Sequence, residues 1–354
     1  MKWPTSLVHL LALILIALAA PACGAPEPGH EIGMTVHFRG ADQPAITRQF
    51  DLMAEMNVTW VRIDIDWSVI ESEQSNLDWT SVDTLVDEAL ARGMKVLAVL
   101  AFSPPWSRPS TADPSPDAKQ ARPDDAASFA NFARVAAQRY TSRGIHSWEI
   151  WNEPNTSKFW PPRPDAVEYG ALFRVAVEAV RGVDPDATVL IGGLSPKFDE
   201  PQAEIAPTDY LEQLYDVGAA QLADGIAVHP YSFPALPMDS TQRMIGGFKD
   251  LPALRAVMDR RGDAAKKIWI TEFGAPTGTA PNAVSEDDQA AALLQARAQV
   301  DSWDWAGPLM YYELVDGGTD PNDAEQNFGV LREDLSPKPA AQALMAAAPN
   351  PAAT

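Results

Sequence analysis

Cysteine is almost absent: the chain of 354 residues has one, Cys23. A lone cysteine excludes an intramolecular disulfide framework. Basic residues are also scarce. Lysine and arginine together number 27 against 48 aspartates and glutamates, giving a formal net charge of −21. Such a surface is a poor partner for nucleic acid or an anionic membrane, and fits neutral or cationic ligands. Histidine occurs five times, with no pair spaced as HxH or HExxH, so no metal centre is expected. No phosphate loop and no dinucleotide fingerprint occur either, and no cofactor is expected.

The N-terminus reads as an address. Lys2 supplies a minimal positive region, and Leu7 to Ala20 is an apolar run too short and too early for a spanning helix. Ala20-Pro21-Ala22 is a small-residue cleavage pattern, and Cys23 follows at once. That arrangement resembles a bacterial lipobox. Residues 1–22 are expected to be a signal peptide, Cys23 the lipidated first residue, and 23–32 a tether. The alternative is ordinary secretion with an incidental cysteine. Either address is extracytoplasmic, with any membrane contact made through Cys23 alone.

With 46% hydrophobic residues, the chain can build a large core. From residue 33 to 348, with a tail at 349–354, apolar strands alternate with amphipathic helices eight times, without internal linker or short repeat. Expected strands are Gly33–Phe38, Val58–Trp67, Met94–Ala101, the stretch at Trp148, Val189–Gly193, Gly225–Tyr231, Ile268–Gly274 and Leu309–Leu314. Thr80 with Asp83 and Ser285 with Asp288 read as helix starts. Eight such units imply a single-domain α/β fold, a (β/α)8 barrel with its site at the C-terminal strand ends.

Polar residues collect at those ends. Arg62, Asp64 and Asp66 share one face of the second strand. A Pro/Asp/Ser-rich loop from Ser103 to about Arg122 is long enough to suggest function. Two strands each deliver a glutamate and then break, at Trp148-Glu149-Ile150-Trp151-Asn152-Glu153-Pro154-Asn155 and at Ile268-Trp269-Ile270-Thr271-Glu272-Phe273-Gly274. Two carboxylates so placed are what glycosidic bond cleavage requires: a proton donor, and a nucleophile or base.

These two stretches resemble the glycoside hydrolases of clan A, (β/α)8-barrel families in which the acid/base follows an Asn at the end of strand four and the nucleophile ends strand seven. The resemblance runs from about Gly33 to Ala347. It is greatest to family 39 with its bacterial exopolysaccharide-hydrolase branch, and next to family 5. It implies Glu153 as acid/base, Glu272 as nucleophile, and Asn152 as partner of the sugar 2-hydroxyl. The implied activity is a retaining β-glycosidase working by double displacement on an oligo- or polysaccharide, endo-acting on an envelope or exported polymer ahead of an exo-acting β-xylosidase. A surface carbohydrate-binding lipoprotein on a disabled barrel is the alternative of another class, and the presence of both carboxylates argues against it.

Physical chemistry supports the division of labour. Arg62 can hold a charge opposite Glu272, and Tyr231 can donate a hydrogen bond to it. His37 and His229 correspond to clan histidines at the ends of strands one and six, and read either as sugar contacts or as satisfied core residues. Trp67, Trp106 and Trp160 stand where loops open at the mouth, and read either as stacking platforms for sugar rings or as loop packing. Many clan members carry a Trp at the end of strand eight. Here the stretch is Tyr311-Tyr312-Glu313, with Tyr312 and Glu313 expected as sugar ligands and Glu313 not as a catalytic group.

Overall fold

The computed structural model describes residues 30–113, 115, 118–197 and 204–347. The expected leader, Cys23, most of the expected tether and the tail lie outside the described residues. Among the described residues, no helix is long and apolar enough to cross a membrane.

Eight parallel strands close into a barrel in chain order. They are β1 Ile32–Thr35, β2 Trp60–Asp66, β3 Lys95–Ala101, β4 Ser147–Ile150, β5 Thr188–Leu194, β6 Gly225–Val228, β7 Lys267–Phe273 and β8 Ala306–Tyr311. Met34 pairs with both Val61 and Tyr311, so β1 joins β2 on one side and β8 on the other. Parallel neighbours need crossovers, and helices supply them. They are α1 Gln43–Glu55, a short α2 Trp67–Ile70, α3 Thr80–Ala91, α4 Ala126–Tyr140, α5 Ala166–Arg181, α6 Pro207–Asp216, α7 Leu251–Arg260, α8 Glu286–Asp301 and α9 Pro339–Ala347.

Side chains alternate across each strand and so divide into two cores. Outward residues such as Val61, Ile63, Trp148, Ile226 and Ile270 meet the helices in one large cluster. Inside the barrel, Trp60, Leu97, Leu190, Ala227 and Met310 pack together with Trp269. The Trp60 and Trp269 rings meet edge to face with centroids 5.2 Å apart. Burial of each large apolar side chain contributes roughly 1.5–3 kcal/mol.

Helix starts follow cap chemistry, with one correction. Ser285 accepts from the Asp288 amide and donates to its carboxylate. Asp42, Asp125 and Asp165 cap α1, α4 and α5. At α3 the Thr80–Asp83 pair does not cap. Asp78 accepts from the Thr80 amide instead, and Asp83 is drawn away to Arg139, Arg143 and Tyr140. The ladders also stop earlier than the apolar runs suggest. β1 ends at Thr35, β6 at Val228 and β8 at Tyr311, so His37, His229 and Tyr312 stand beyond the last paired residues. For β6 the reason is local, because Pro230 has no amide to donate.

Candidate active site

The inward-facing residues change character along the strands. On β2 the order is Trp60, Arg62, Asp64; on β6, Ala227 precedes His229; on β7, Trp269 precedes Glu272. Apolar side chains fill the deeper level, and charged ones stand toward the C-terminal mouth. Strict alternation with Trp269 would turn Glu272 outward. The β7–β8 register shifts between Ile270 and Phe273, and this irregularity brings Glu272 inside. At the end of β4, Trp151 and Glu153 adopt left-handed backbone, with φ of 71° and 44°. Such residues cost of order 1–3 kcal/mol each and persist where surrounding contacts hold them. Here the Trp151 amide donates to the Leu100 carbonyl and the Glu153 amide to the Gly193 carbonyl. Position 193 takes a glycine because a Cβ there would lie 2.0 Å from His229 Nε2.

Arg62 is the hub. Its guanidinium is buried and donates to both Glu149 oxygens at 3.1 and 3.2 Å, to Asn152 Oδ1 at 2.9 Å and to Glu272 Oε1 at 2.5 Å. Burial opposes its charge, but Glu149 and then Glu272 outweigh that and hold its pKa above the ordinary arginine value. Tyr231 donates to the other Glu272 oxygen at 2.7 Å. Burial, then the Glu272 charge, pushes this phenol well above its ordinary range, so it stays a donor. His229 Nδ1 lies 2.9 Å from Glu153 Oε1 and 3.4 Å from Glu272 Oε2. Burial pulls this imidazole down, and Glu272 followed by Glu153 more than reverses it, leaving the pKa raised. The two carboxylates thus flank one histidine at the barrel mouth.

Glu153, His229 and Glu272 each offer an atom within 4.8 Å of the others, a grouping that could hold a metal ion. The donor set argues against it. The Arg62 cation already occupies one Glu272 oxygen, and His229 Nδ1 is engaged by Glu153. A divalent cation would have to displace both partners.

A cavity of about 360 Å³ opens over these groups. Of the expected site residues, Arg62, Asn152, Glu153, Glu272, Tyr231, His37 and Tyr312 line it. Five others do not: Trp67, Trp160, Trp106, Glu313 and His229. Trp67 is fully buried against Trp106, Phe129 and Phe132. Trp160 is buried between Trp151 and Tyr169. Trp106 is half-buried, donates to the Glu71 carbonyl and stands outside the cavity lining. The three indoles are packing, not platforms. Glu313 is fully buried and serves the protein, accepting from Arg39 at 2.9 Å and lying 2.8 Å from His37 Nδ1. His229, at 0% exposure, stands behind the carboxylates rather than against a ligand.

Some site residues escaped the sequence reading. Glu149 is buried at 0% exposure, bound by Arg62 and by the Gly193 amide. Its signal was a charge on the inward parity of an otherwise apolar strand. Phe102, Phe159, Phe233 and Phe328, with Lys119, Lys158 and Glu325, also line the cavity. They come from loops, where no periodicity tells inward from outward.

A family model described as cellulase, glycosyl hydrolase family 5, matches residues 25–307. The chain belongs to glycosyl hydrolase family 5. As a family 5 member it shares the clan A barrel with relatives in family 39. A β-xylosidase of Geobacillus stearothermophilus is 23% identical over 260 residues, covering 68% of this chain and 49% of that protein. A family 39 glycoside hydrolase from the gut symbiont Bacteroides cellulosilyticus WH2 superposes with a TM-score of 0.70 at 24% identity, over 89% of this chain and 62% of that one. A monomeric β-xylosidase from Caulobacter crescentus CB15 gives 0.68 at 17% identity, over 90% and 68%. The chain therefore spans about half the length of the curated relative it matches, and under two thirds of the Bacteroides enzyme.

Proposed function

We propose that this family 5 protein is a retaining β-glycoside hydrolase, with Glu153 as acid/base and Glu272 as nucleophile. One observation carries the reading. Two carboxylates at the ends of β4 and β7 present oxygens within 4.8 Å of each other, and their environments differ. Retention calls for carboxyl groups about 5–5.5 Å apart, whereas inversion needs roughly 6.5–9.5 Å to admit a water. Glu272 accepts from Arg62 and Tyr231, which suits an ionised nucleophile. Glu153 has no cation but His229 beside it, which suits a group that gives and retakes a proton. Asn152, fixed by Arg62, is placed to meet a hydroxyl of the sugar held between them.

The substrate we infer is an envelope or exported polysaccharide, cut internally. In support, two residues lining the cavity also line neighbouring cavities. Phe233 also lines an adjacent cavity of about 850 Å³, and Glu204 another of about 560 Å³. Exo-action is the second reading, favoured by the β-xylosidase names of two relatives. Incubation with 2-deoxy-2-fluoro aryl glycosides tests the assignment. The expected product is a stable adduct on the peptide bearing Glu272. Labelling of another residue, or turnover with inversion of the anomeric centre, would remove Glu272 as nucleophile.

We also propose that the mature chain is tethered by lipid at Cys23, from the lone cysteine following an apolar run and small residues. Mass spectrometry of protein from its native membrane should show a diacylated or triacylated Cys23 at the N-terminus. An unmodified Cys23, or a start elsewhere, would sink this.

A further inference from the structure

Two of the nine lysines in the chain face the same cavity wall. Lys119 lies on the loop after β3, with its ammonium 4.6 Å from the centre of the Phe102 ring and 2.6 Å from Asp66. Lys158 lies on the loop after β4, with its ammonium 5.0 Å from the Phe159 ring. Phe102 and Phe159 are themselves stacked, with centroids 6.1 Å apart and planes 25° from parallel. The result is an aromatic face flanked by two cations, beside Glu153 and Glu272. Asp66 compensates Lys119. Lys158 makes no ion pair or hydrogen bond among the described residues, and rests on its ring with its donors free.

The rest of the cavity is mixed in sign, with Asp64, Glu153, Glu204, Glu272 and Glu325 lining it beside Arg62 and His37. Glu325, on the loop after β8, lines the same cavity. Partial burial, against the pull of Lys158 and with the charges of Glu153, Glu272 and Glu313, raises its pKa. Arg62 is already taken by Glu149 and Glu272, so Lys158 and Lys119 on the Phe102–Phe159 wall are the ammonium groups that a negative substituent meets in this cavity.

We propose that this wall is a subsite for a uronosyl residue, whose carboxylate is held by Lys158 with help from Lys119. The inference rests on the glycosidase reading and specifies its substrate as an acidic polysaccharide. It runs against what net charge alone suggests, because −21 describes the whole surface and the wall is local. A charge-assisted hydrogen bond is about twice as strong as a neutral one, enough to decide specificity at this one place.

The test uses binding to the full chain carrying Glu272→Gln, so that ligand is not consumed. The probes are cellotetraose, its C6-oxidised tetra-glucuronate and its 6-sulfated form, measured by titration calorimetry. The oxidised tetramer should bind on the order of tenfold more tightly than the neutral one, the worth of one charged contact. Lys158→Gln should bring that ratio close to one. Equal affinities, a neutral preference, binding of neither, or a ratio that survives Lys158→Gln would each overturn the proposal. Preference for the sulfated tetramer over the oxidised one would overturn the uronate assignment in favour of a sulfate ester. Turnover of aryl β-glycosides by the unaltered protein is measured in parallel. Its absence is failure of the glycosidase reading, whereas turnover with equal tetramer affinities is failure of the subsite alone.

Discussion

Replacing Glu272 by Ala is expected to abolish turnover on every glycoside, by on the order of 10⁴-fold or more, while Glu153→Ala splits the reaction in two. Without Glu272 no glycosyl-enzyme forms. Without Glu153 an aryl glycoside with an acidic phenol still reacts, because its leaving group scarcely needs a proton. The intermediate then persists, since water lacks its base, and a burst of phenol should precede a steady rate roughly 10²–10⁴-fold below normal. Azide needs no base. It should restore turnover to Glu153→Ala and yield a β-glycosyl azide. In Glu272→Ala the azide product should be the α-anomer, formed by direct displacement through the vacated carboxylate position. The opposite pattern would reverse the two roles, and near-normal activity in both variants would dismiss the site.

The second large effect belongs to Arg62. It is buried, with two glutamates and an asparagine on its three nitrogens. Arg62→Met fills similar volume but strands the Glu149 charge inside the barrel. Removing one partner of a buried pair costs about 3–5 kcal/mol, so a large drop in thermal stability is expected. The rate should fall by on the order of a thousandfold or more, because Glu272 and Asn152 lose the group that aims them. Arg62→Lys separates the two losses. A lysine keeps the charge but cannot span three acceptors with a planar fork. It should recover much of the stability and little of the rate. If Arg62→Met unfolds at the ordinary temperature with ordinary kcat, the hub has no such role.

The parts of this architecture legible in the sequence were those with a period or a local break. Eight alternations of apolar strand and amphipathic helix give the barrel, and Asn152-Glu153 and Glu272 stand out because each interrupts an apolar strand. What stayed hidden depends on partners distant along the chain. Trp67 follows a strand end, where an indole could face the mouth or the core. Phe129 and Phe132 of α4, some sixty residues on, settle it by packing on the ring. Glu313 at the mouth looks like a ligand until His37 and Arg39, more than 270 residues earlier, take both its oxygens. The placement of Glu272 rests on a register shift between β7 and β8 that no residue pattern in either strand announces.

The indole and aliphatic plug beneath the charged layer bears on how protons travel. Trp60, Leu97, Leu190, Ala227, Met310 and Trp269 close the barrel below Arg62 and the carboxylates. They offer no chain of exchangeable groups toward the far end. Protons exchanged with bulk water by Glu153 therefore pass through the same mouth that admits the sugar. The water that releases the glycosyl group must take that route too, so the aglycone leaves the mouth before the second displacement, and Glu153 recovers its proton from that water and not from below.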